Sequence, residues 1–362
     1  MKCLFVGDVC PTAANAQLFA AGDVEALFTD TRSLFVGNDV NMVNLECALT
    51  DAEAEIKKIG PALKAPPATA DTLHALGVTH CALSNNHFFD FGRAGAADSL
   101  TVLERAGLAV TGFGRDLADA RRDLVIEQDG ERLCVIAVCE HEYSYALEDR
   151  AGTRPFDPFE TPLDVRAAKE KYDRVVVLYH GGKEQCRYPS PRLRAACHAM
   201  AKSGADLILC QHSHCIGCYE QLADCHILYG QGNFHFTKPD YRDKPGWNDC
   251  LAAHYDTRTG ALSFTPVVAG AYSIRLAGER EGKEILDAFA ARNAQLQNGT
   301  WLNGWRAFCE SKRESYTRAI RQACVPEFGE ESVEKFAHYL DCEAHTDVWR
   351  ELFKTNNHRN EK

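Results

Sequence analysis

The chain has 362 residues, of which 45% are hydrophobic and 25% charged, a composition typical of a soluble globular protein. Its formal net charge of -11 argues against a nucleic-acid binder, because phosphate contacts need a basic surface, but it allows a small anionic substrate held by metal ions. No stretch has the length of a membrane-spanning helix or the apolar core of a signal peptide, so we expect no membrane insertion and a cytoplasmic location.

Apolar strands alternate with helical segments along the first half of the chain. Strands are predicted at 2–6, 40–44, 80–83 and 109–111, and helices at 69–76 and 94–106, several of them ended by glycine. An Asp-Gly pair at 129–130 predicts a hairpin between the apolar runs 124–127 and 133–138.

The second half continues this alternation. Apolar strands are predicted at 175–178, 207–210 and 227–229, and Ser190-Pro191 predicts the start of a helix that runs to Lys202. Hairpin-like strands at 251–255 and 262–268 indicate mixed rather than purely parallel sheets. Together these elements predict a layered α/β core.

The composition changes after about Ile274. Residues 282–356 are rich in Ala, Glu, Lys and Arg, and three of the chain's four tryptophans give this predicted helical region something to bury. We therefore expect a main domain, residues 1–274, and a C-terminal helical extension, residues 275–362. The extension would pack on the core or form an interface between copies of the chain.

Six residues of metal-binding type follow or close the predicted strands. They are Asp8, Glu46, Asn86, His180, His212 and His214. Open α/β sheets bind ligands at the carboxyl ends of their strands, although each of these residues alone is also typical of an ordinary turn or a structural position. Six N and O ligands fit two divalent cations (Mn, Fe, Zn, Co or Ni) that share a bridging carboxylate and a bridging hydroxide. Two such metals roughly 3.5–4 Å apart stabilise the attacking and leaving oxygens in phosphoester hydrolysis.

Further candidates lie close to these residues in the chain. His87 suits proton donation to a leaving oxygen, and Asp90 could fix the tautomer of its imidazole. The alternative is an Asx turn that caps the helix from Ala94 onward. The glycines at 181–182 let the backbone approach a ligand, and Glu184 could contact substrate.

Other kinds of site have weaker sequence support. Cys215-Ile216-Gly217-Cys218, with two further cysteines nearby, could form a structural zinc site, but there is no second C-x-x-C motif. Gly112-Phe113-Gly114 is too short for a dinucleotide loop. Neither Ser84 nor Ser213 lies in a G-x-S-x-G motif.

Taken together, the candidate residues lie in segments that resemble the CapA family of bacterial poly-gamma-glutamate capsule synthesis proteins, in the calcineurin-like metallophosphatase superfamily. The matching segments are Gly7-Asp8-Val9, Asn44-Leu45-Glu46, 84–92, His180-Gly181-Gly182-Lys183-Glu184, 204–208, Gln211-His212-Ser213-His214 and 229–234. Their order and spacing cover about residues 2–270. The resemblance implies a four-layer α/β/β/α metallophosphatase-like sandwich with a two-metal centre.

The resemblance also implies roles for individual residues. Asp8 and His214 would hold one metal, Asn86, His180 and His212 would hold the other, and Glu46 would bridge them. His87, supported by Asp90, would act as an acid or transition-state stabiliser. Asn44, Glu184 and Asn233 would contact substrate.

The chain departs from the resembled pattern at several points. Cys10 stands where the superfamily usually has a histidine, and we expect it not to bind metal. His180-Gly181-Gly182 replaces the common His-Trp-Gly, and Gln211 precedes the His-x-His pair. Family members often carry a membrane anchor, which is not visible here, and the C-terminal helical region lies outside the resemblance.

Three functions are compatible with this pattern. The first is a metal-dependent hydrolase that acts on a phosphoester or a related anionic substrate, small or polymeric. The second is a non-catalytic accessory protein of capsular polymer production. The third is an amide hydrolase on gamma-glutamyl peptides, because two-metal sites also cleave amides.

Overall fold

The computed structural model describes residues 1–140, 142–241, 243–244 and 246–354. The strands are β1 Lys2–Val9, β2 Val40–Leu45, β3 Ala48–Leu49, β4 Lys64–Ala65, β5 His80–Ala82, β6 Ala109–Thr111, β7 Phe113–Gly114, β8 Leu124–Gln128, β9 Glu131–Cys139, β10 Gly152–Thr153, β11 Arg174–His180, β12 Leu207–Gln211, β13 Tyr219–Leu222, β14 Cys225–Leu228, β15 Asn233–His235, β16 Asp249–Asp256, β17 Leu262–Ala269 and β18 Ile274–Leu276. The α-helices are α1 Ala16–Ala21, α2 Val24–Phe28, α3 Thr69–Leu76, α4 Gly92–Arg105, α5 Leu117–Ala120, α6 Glu160–Lys169, α7 Pro191–Lys202, α8 Glu279–Gln297, α9 Trp301–Ala323, α10 Gly329–Asp341 and α11 Glu343–Leu352. Short 3-10 helices occupy Thr29–Phe35, Glu142–Ser144, Pro239–Tyr241 and Pro326–Phe328.

Two β-sheets pack face to face between two layers of helices. The first sheet has the strand order β18-β17-β16-β1-β2-β5-β6, with β15 beside β1, and the second has the order β13-β14-β12-β11-β9-β8. A buried apolar core between the sheets contains Phe5 and Met42 from the first sheet and Val135, Leu178 and Leu209 from the second.

Separate cores lie on the outer face of each sheet. Helices α1 to α4 cover the first sheet, and helices α6, α7, α9 and α11 contribute side chains to the core outside the second. The expected four-layer α/β/β/α arrangement with mixed sheets and C-terminal helices is therefore confirmed.

The central strands of both sheets run parallel. In the first sheet β1 is parallel to β2 and β15, and β2 is parallel to β5. In the second sheet β9, β11, β12 and β14 are parallel to one another in turn. Because parallel strands end at the same edge of a sheet, the residues that follow them are brought together.

Antiparallel pairs form at the predicted hairpins β8-β9 and β16-β17 and at the edge strands β13 and β18, whereas the remaining edge strand, β6, is parallel to β5. The Asp129-Gly130 turn between β8 and β9 has positive φ at both residues, 52° and 78°. This is the conformation that a two-residue type I′ hairpin requires, and Asp-Gly adopts it readily.

The C-terminal helices pack against the rest of the chain. Leu296, Trp305 and Val348 lie in the same apolar core as side chains from α7 and the second sheet. Gly304 allows the close approach that this packing requires, since a Cβ at this position would lie 2.3 Å from the ring of Tyr188. The division into two domains at residue 274 remains a prediction, as does a homo-oligomer through these helices, and residues 355–362 of the expected extension lie outside the described residues.

No helix in the described ranges has the length and hydrophobicity needed to cross a membrane.

Candidate metal centre

The six predicted metal ligands lie in one buried cluster at the carboxyl edge of the parallel strands. They come from five places in the chain: Asp8 from β1, Glu46 after β2, Asn86 after β5, His180 at the end of β11, and His212 and His214 after β12. Asp8, Glu46 and the three histidines are each 5% exposed or less, so the cluster is shielded from bulk water.

Distances within the cluster define overlapping groups of ligands. Among the described residues, the ligand atoms of Glu46, His180 and His212 lie within 4.8 Å of one another, and so do those of Asp8, Glu46 and His214. The Oδ1 atom of Asn86 lies 2.8 Å from Nε2 of His180. Glu46 belongs to both groups, which is the position that a bridging carboxylate needs.

A third group brings Glu184 into the centre. Its carboxylate lies within the same 4.8 Å limit of His212 and His214. The sequence suggested Glu184 as a substrate contact, and the structure places it close enough to two imidazoles to share a cation with them.

The burial and hydrogen bonding of the Glu46 carboxylate indicate whether these residues fit a cation. Its side chain is fully buried, and neither oxygen has a hydrogen-bond partner. The nearby Nε2 of His180 lies 3.4 Å from Oε1. Burial and the neighbouring charge of Asp8 raise the pKa of Glu46 well above its ordinary value. A buried carboxylate without a donor is costly, and a divalent cation would relieve the cost directly. Carboxylate, amide and imidazole ligands suit divalent transition metals, so the residues fit such ions.

Burial and neighbouring charges also shift the pKa values of the other titratable groups in the cluster. Burial lowers the pKa of His180 to about 4. For His214 burial acts in the same direction, but the negative charges of Glu46 and Asp8 outweigh it and raise the pKa to about 9. For Asp8 burial acts to raise the pKa, and the hydrogen bond with His214 and the charge on His180 lower it overall. Burial and neighbouring charges thus shift pKa values within the cluster in both directions.

A layer of asparagines holds the ligands in position. Asn44 Nδ2 donates to Asp8 Oδ1 at 2.7 Å and lies 3.1 Å from Nδ1 of His180. Asn233 Oδ1 lies 2.8 Å from Nδ1 of His214, while its Nδ2 donates to the carbonyl of Trp247 at 3.0 Å. Such partners orient metal-binding imidazoles and carboxylates.

Both of these asparagines were expected to contact substrate. In the structure each is fully buried and bonded to a candidate ligand. A third, Asn85, donates to Asn44 Oδ1 at 3.1 Å and accepts from the backbone N–H of His87 at 3.1 Å. It therefore connects the metal cluster to His87.

The turn that carries His212 and His214 has an unusual backbone. Both histidines have positive φ, 81° and 54°, a region that side-chain-bearing residues seldom occupy. The His212 N–H donates to Asp8 Oδ2 at 3.2 Å. Strained backbone of this kind concentrates at functional sites, where the surrounding structure holds it in place.

His87 and Asp90 form a pair beside the cluster. His87 Nδ1 lies 2.7 Å from Asp90 Oδ2, and Leu63 N–H donates to the same oxygen at 2.7 Å. Burial and the charge of Lys58 lower the pKa of His87 to about 4, so the ring is neutral near pH 7. With Asp90 accepting from Nδ1, the Nε2 atom of His87 is the one oriented for a ligand.

Sequence reasoning missed Lys58, which completes this arrangement. Its Nζ donates to Asp90 Oδ1 at 2.5 Å and to the Asn86 carbonyl at 3.2 Å. The Lys58 side chain is 5% exposed, whereas that of its neighbour Lys57 is 80% exposed. The polar stretch around both lysines has no periodicity, so no local signal distinguishes the buried lysine from the exposed one.

Two cavities adjoin the cluster. One, of about 310 Å³, is lined by Asn86, His87, Glu184 and His212 together with residues of the C-terminal helices. The other, of about 380 Å³, is lined by His214 and Trp247 together with Gly304 and Phe308 of α9. The two cavities therefore adjoin different members of the cluster.

The cysteines considered from the sequence lie apart from these groups. Cys10 is buried, and burial and its neighbour Cys47 raise its pKa well above the ordinary value. Burial raises the pKa of Cys215 to about 11 and that of Cys218 to about 12. Within the described part of the chain, no group of candidate ligands includes a cysteine.

The layered fold and the ligand cluster at its strand ends define a four-layer α/β/β/α protein with a candidate metal centre. A family model described as bacterial capsule synthesis protein PGA_cap matches residues 2–238, more than half of the chain. The chain belongs to this family, and the resemblance drawn from its motifs is confirmed.

Individual relatives carry related names. The chain is 27% identical over 212 residues to the capsule biosynthesis protein CapA of Bacillus anthracis, covering 57% of this chain and 51% of that protein. It is 26% identical over 278 residues to the PGA biosynthesis protein CapA of Bacillus subtilis, covering 73% and 70%. It is 30% identical over 209 residues to a probable polyglutamine synthesis accessory protein of Mycobacterium tuberculosis, covering 54% and 55%. The chain thus spans about half the length of the first of these relatives.

Solved structures show weaker similarity. A hypothetical protein of Thermus thermophilus aligns with a TM-score of 0.42 and 15% identity, covering 76% of this chain and 96% of that one. A 5'-nucleotidase precursor of the same organism aligns with a TM-score of 0.39 and 17% identity, covering 80% and 59%. At these scores neither alignment supports a conclusion about activity.

Proposed function

We propose that this protein is a divalent-metal-dependent hydrolase that acts on a phosphoester or a related anionic substrate. The observation that carries the proposal is the Glu46 carboxylate, buried without a hydrogen-bond donor and shared between two groups of candidate ligands. Two cations held by Glu46 with Asp8, Asn86 and the three histidines would supply positive charge that stabilises the oxygens of a hydrolytic transition state.

The chain's own residues contribute orientation and proton exchange in this proposal. Asp90 holds the His87 ring through Nδ1 and is itself held by Lys58 and by the Leu63 N–H. His87 lines the cavity beside Asn86 and His212. Its neutral ring has the proton on Nδ1, facing Asp90, so the bare Nε2 would accept a proton or a hydrogen bond from a water or hydroxyl beside the reacting group. The buried setting keeps bulk water away from these contacts.

Metal content and hydrolysis, measured on the protein as purified, test the proposal. We expect stoichiometric Mn, Fe, Zn, Co or Ni by elemental analysis and turnover of at least one member of a phosphomonoester and phosphodiester panel. The Glu46→Gln variant should lose metal, and the His87→Ala variant should keep metal but lose about 100-fold or more of the rate. Absence of all five metals, with no activity after adding any of them, would overturn the proposal.

The names of the relatives favour a second candidate, since two of them refer to PGA biosynthesis and polyglutamine synthesis. In this case the centre would hydrolyse amide bonds of gamma-glutamyl peptides, or the protein would assist polymer production without catalysis. Product analysis on gamma-glutamyl peptides and on phosphodiesters separates the two reactions. A cellular phenotype that survives both His87→Ala and His212→Ala would favour the non-catalytic role.

A further inference from the structure

The cavity of about 310 Å³ has walls from two distant parts of the chain. On one side lie Asn86, His87 and His212, next to the candidate metal centre. On the other side lie residues of α10 and α11, including Lys335, His338 and His345. The family match ends at residue 238, so this second wall comes from a part of the chain that the family model does not cover. Lys335, His338 and His345 together form the helical wall of the cavity.

The charges around this cavity favour an anionic ligand. Lysines 58, 183 and 335 line it, and Lys58 is paired with the buried Asp90. This leaves Lys183 and Lys335 against Glu184, the carboxylate that lines the cavity in the described part of the chain. This excess of positive charge stands out because the whole chain has a formal net charge of -11. Local positive potential in a concave site attracts and orients anions.

Ring stacking holds the imidazoles of the helical wall. The His338 ring stacks on Tyr143 with centroids 5.4 Å apart, and the His345 ring stacks on Tyr339 with centroids 4.2 Å apart. The Tyr316 hydroxyl lies 2.6 Å from Nδ1 of His345. These contacts restrict the rings before any ligand arrives, which lowers the entropic cost of binding.

Polar contacts tie the two helices of the wall to the main body of the protein. On α10, Glu334 forms an ion pair with Lys57, whose neighbour Lys58 lines the cavity. On α11, Asp347 accepts from Ser190 Oγ at 2.5 Å and from Arg192 Nε at 3.0 Å. These contacts join both helices of the helical wall to other parts of the chain.

We infer that the helical wall determines substrate specificity, and that the substrate carries a second anionic group, bound by Lys335 and His338, beyond the group that lies at the metal centre. The identity of the reacting group rests on the proposed function, while the second anionic group follows from the cavity itself. A volume of about 310 Å³ is at the lower end for small-molecule sites, so the cavity takes a small dianion or the end of an anionic polymer.

Two matched ligands test this inference by equilibrium binding to the protein as purified, under conditions in which no inorganic phosphate is released. Glycerol 3-phosphate and 3-phosphoglycerate share a phosphate monoester, but the second has a carboxylate where the first has a hydroxymethyl group. We expect 3-phosphoglycerate to bind about tenfold more tightly at low salt. This preference should fall several-fold in Lys335→Ala and in His338→Ala, with binding of glycerol 3-phosphate and metal content unchanged.

Lys283→Ala is the matched control for Lys335→Ala. Lys283 is an exposed lysine on another C-terminal helix, α8, and it pairs with Asp287 outside the cavity. We expect this variant to bind both ligands as the unaltered protein does. Circular dichroism and melting curves would establish that all three variants fold.

Three results would overturn the inference: equal affinity for the two ligands, binding of neither, or a preference that survives both wall substitutions. The proposed function fails separately. If the protein prefers 3-phosphoglycerate through the helical wall but holds no metal and hydrolyses nothing, the inference about specificity stands and the proposed function fails. If it is a metal-containing hydrolase that binds the two ligands equally, the proposed function stands and the inference about specificity fails.

Discussion

Glu46 shows at the scale of a single residue how the protein prepares a site for cations. Its carboxylate is fully buried and accepts no hydrogen bond, whereas the Asp90 carboxylate nearby accepts from Lys58 and from Leu63 N–H. Buried carboxylates are normally satisfied in the second way, because an unpaired charge in a protein interior costs several kcal/mol. This contrast indicates that Glu46 is a candidate metal ligand, whereas Asp90 positions the His87 ring.

The two adjacent lysines should differ sharply when each is replaced by methionine. Lys58→Met removes the buried partner of Asp90 and leaves a carboxylate without its cation, so we expect a loss of about 3 kcal/mol in the free energy of unfolding. Lys57→Met removes an exposed pair with Glu334 and should change the free energy of unfolding little. Urea unfolding of both variants measures the difference, and equal losses would contradict the assigned burial.

At the scale of elements, helix α7 is joined to strand β13 through Glu220. This carboxylate accepts from Arg194 Nη2 at 2.7 Å and from the Tyr229 hydroxyl at 2.7 Å, and it lies 2.7 Å from His198 Nε2. Burial acts to raise the pKa of Glu220, but these hydrogen bonds outweigh it and lower the pKa from 4.5 to about 2.

The depressed pKa predicts how this connection depends on pH. Because the folded-state pKa lies below the unfolded one, the stabilisation is fully present above about pH 4.5 and is lost as pH falls toward 2. Solvent screens this half-buried group, so Glu220→Gln should lower the free energy of unfolding by about 2 kcal/mol at pH 7, less than the full pKa shift implies, and by progressively less below pH 4.5. Urea titrations at pH 7, 5 and 3.5 measure this. The exposed Glu314→Gln serves as control and should change stability little at any of these values.

Two glycines within the C-terminal helices predict opposite effects of adding a methyl group. In α9 a Cβ at Gly304 would lie 2.3 Å from the Tyr188 ring, so Gly304→Ala should cost about 1–3 kcal/mol through overpacking. In α8 the nearest atom to a Cβ at Gly282 is 3.6 Å away, so Gly282→Ala should stabilise by up to about 1 kcal/mol through helix propensity. Thermal unfolding of the two variants measures whether each substitution stabilises or destabilises the protein. Destabilisation by Gly282→Ala alone would refute the assigned packing.

For the whole molecule, the main structural result is that the C-terminal helices share a core with the second sheet. Trp305, Val348 and Leu296 pack in the same cluster as Leu193 of α7 and Ile208 of β12. A helical extension joined by a linker alone would unfold independently, but a shared apolar core couples the two parts.

This coupling predicts one unfolding transition for the helices and the sheets. Trp305 is 1% exposed, so Trp305→Ala should lower the free energy of unfolding by about 3–5 kcal/mol and should shift the whole transition. Far-ultraviolet circular dichroism follows the helices and sheets of the whole molecule, whereas tryptophan fluorescence reports mainly on the C-terminal helices, which contain Trp301 and Trp349 even in the variant. Two separate transitions, of which only one moves in the variant, would instead support an independent domain from residue 275 onward.

Much of the scaffold follows from local sequence patterns. Helices α3 and α7 begin and end at the residues that periodicity, capping and glycine indicated, and the Asp129-Gly130 turn has the predicted conformation. Helices α1 and α2 were not predicted, because six and five residues are too few to show a helical period. The ligand types at the strand ends could also be recognised, since parallel strands bring their carboxyl ends to one edge.

The sequence by itself therefore determined the layered fold, the family and the residues that meet at the strand ends, because these depend on local periodicity and on the direction of parallel strands. Only the tertiary structure decided which polar residues support the centre and which enclose it. Lys58 differs from Lys57 through burial alone, and Asn44 is placed by contacts with Asp8 and His180. The approach of Lys335 to the cavity beside His87 depends on packing between segments far apart in the chain, which leaves no periodic signal in either segment.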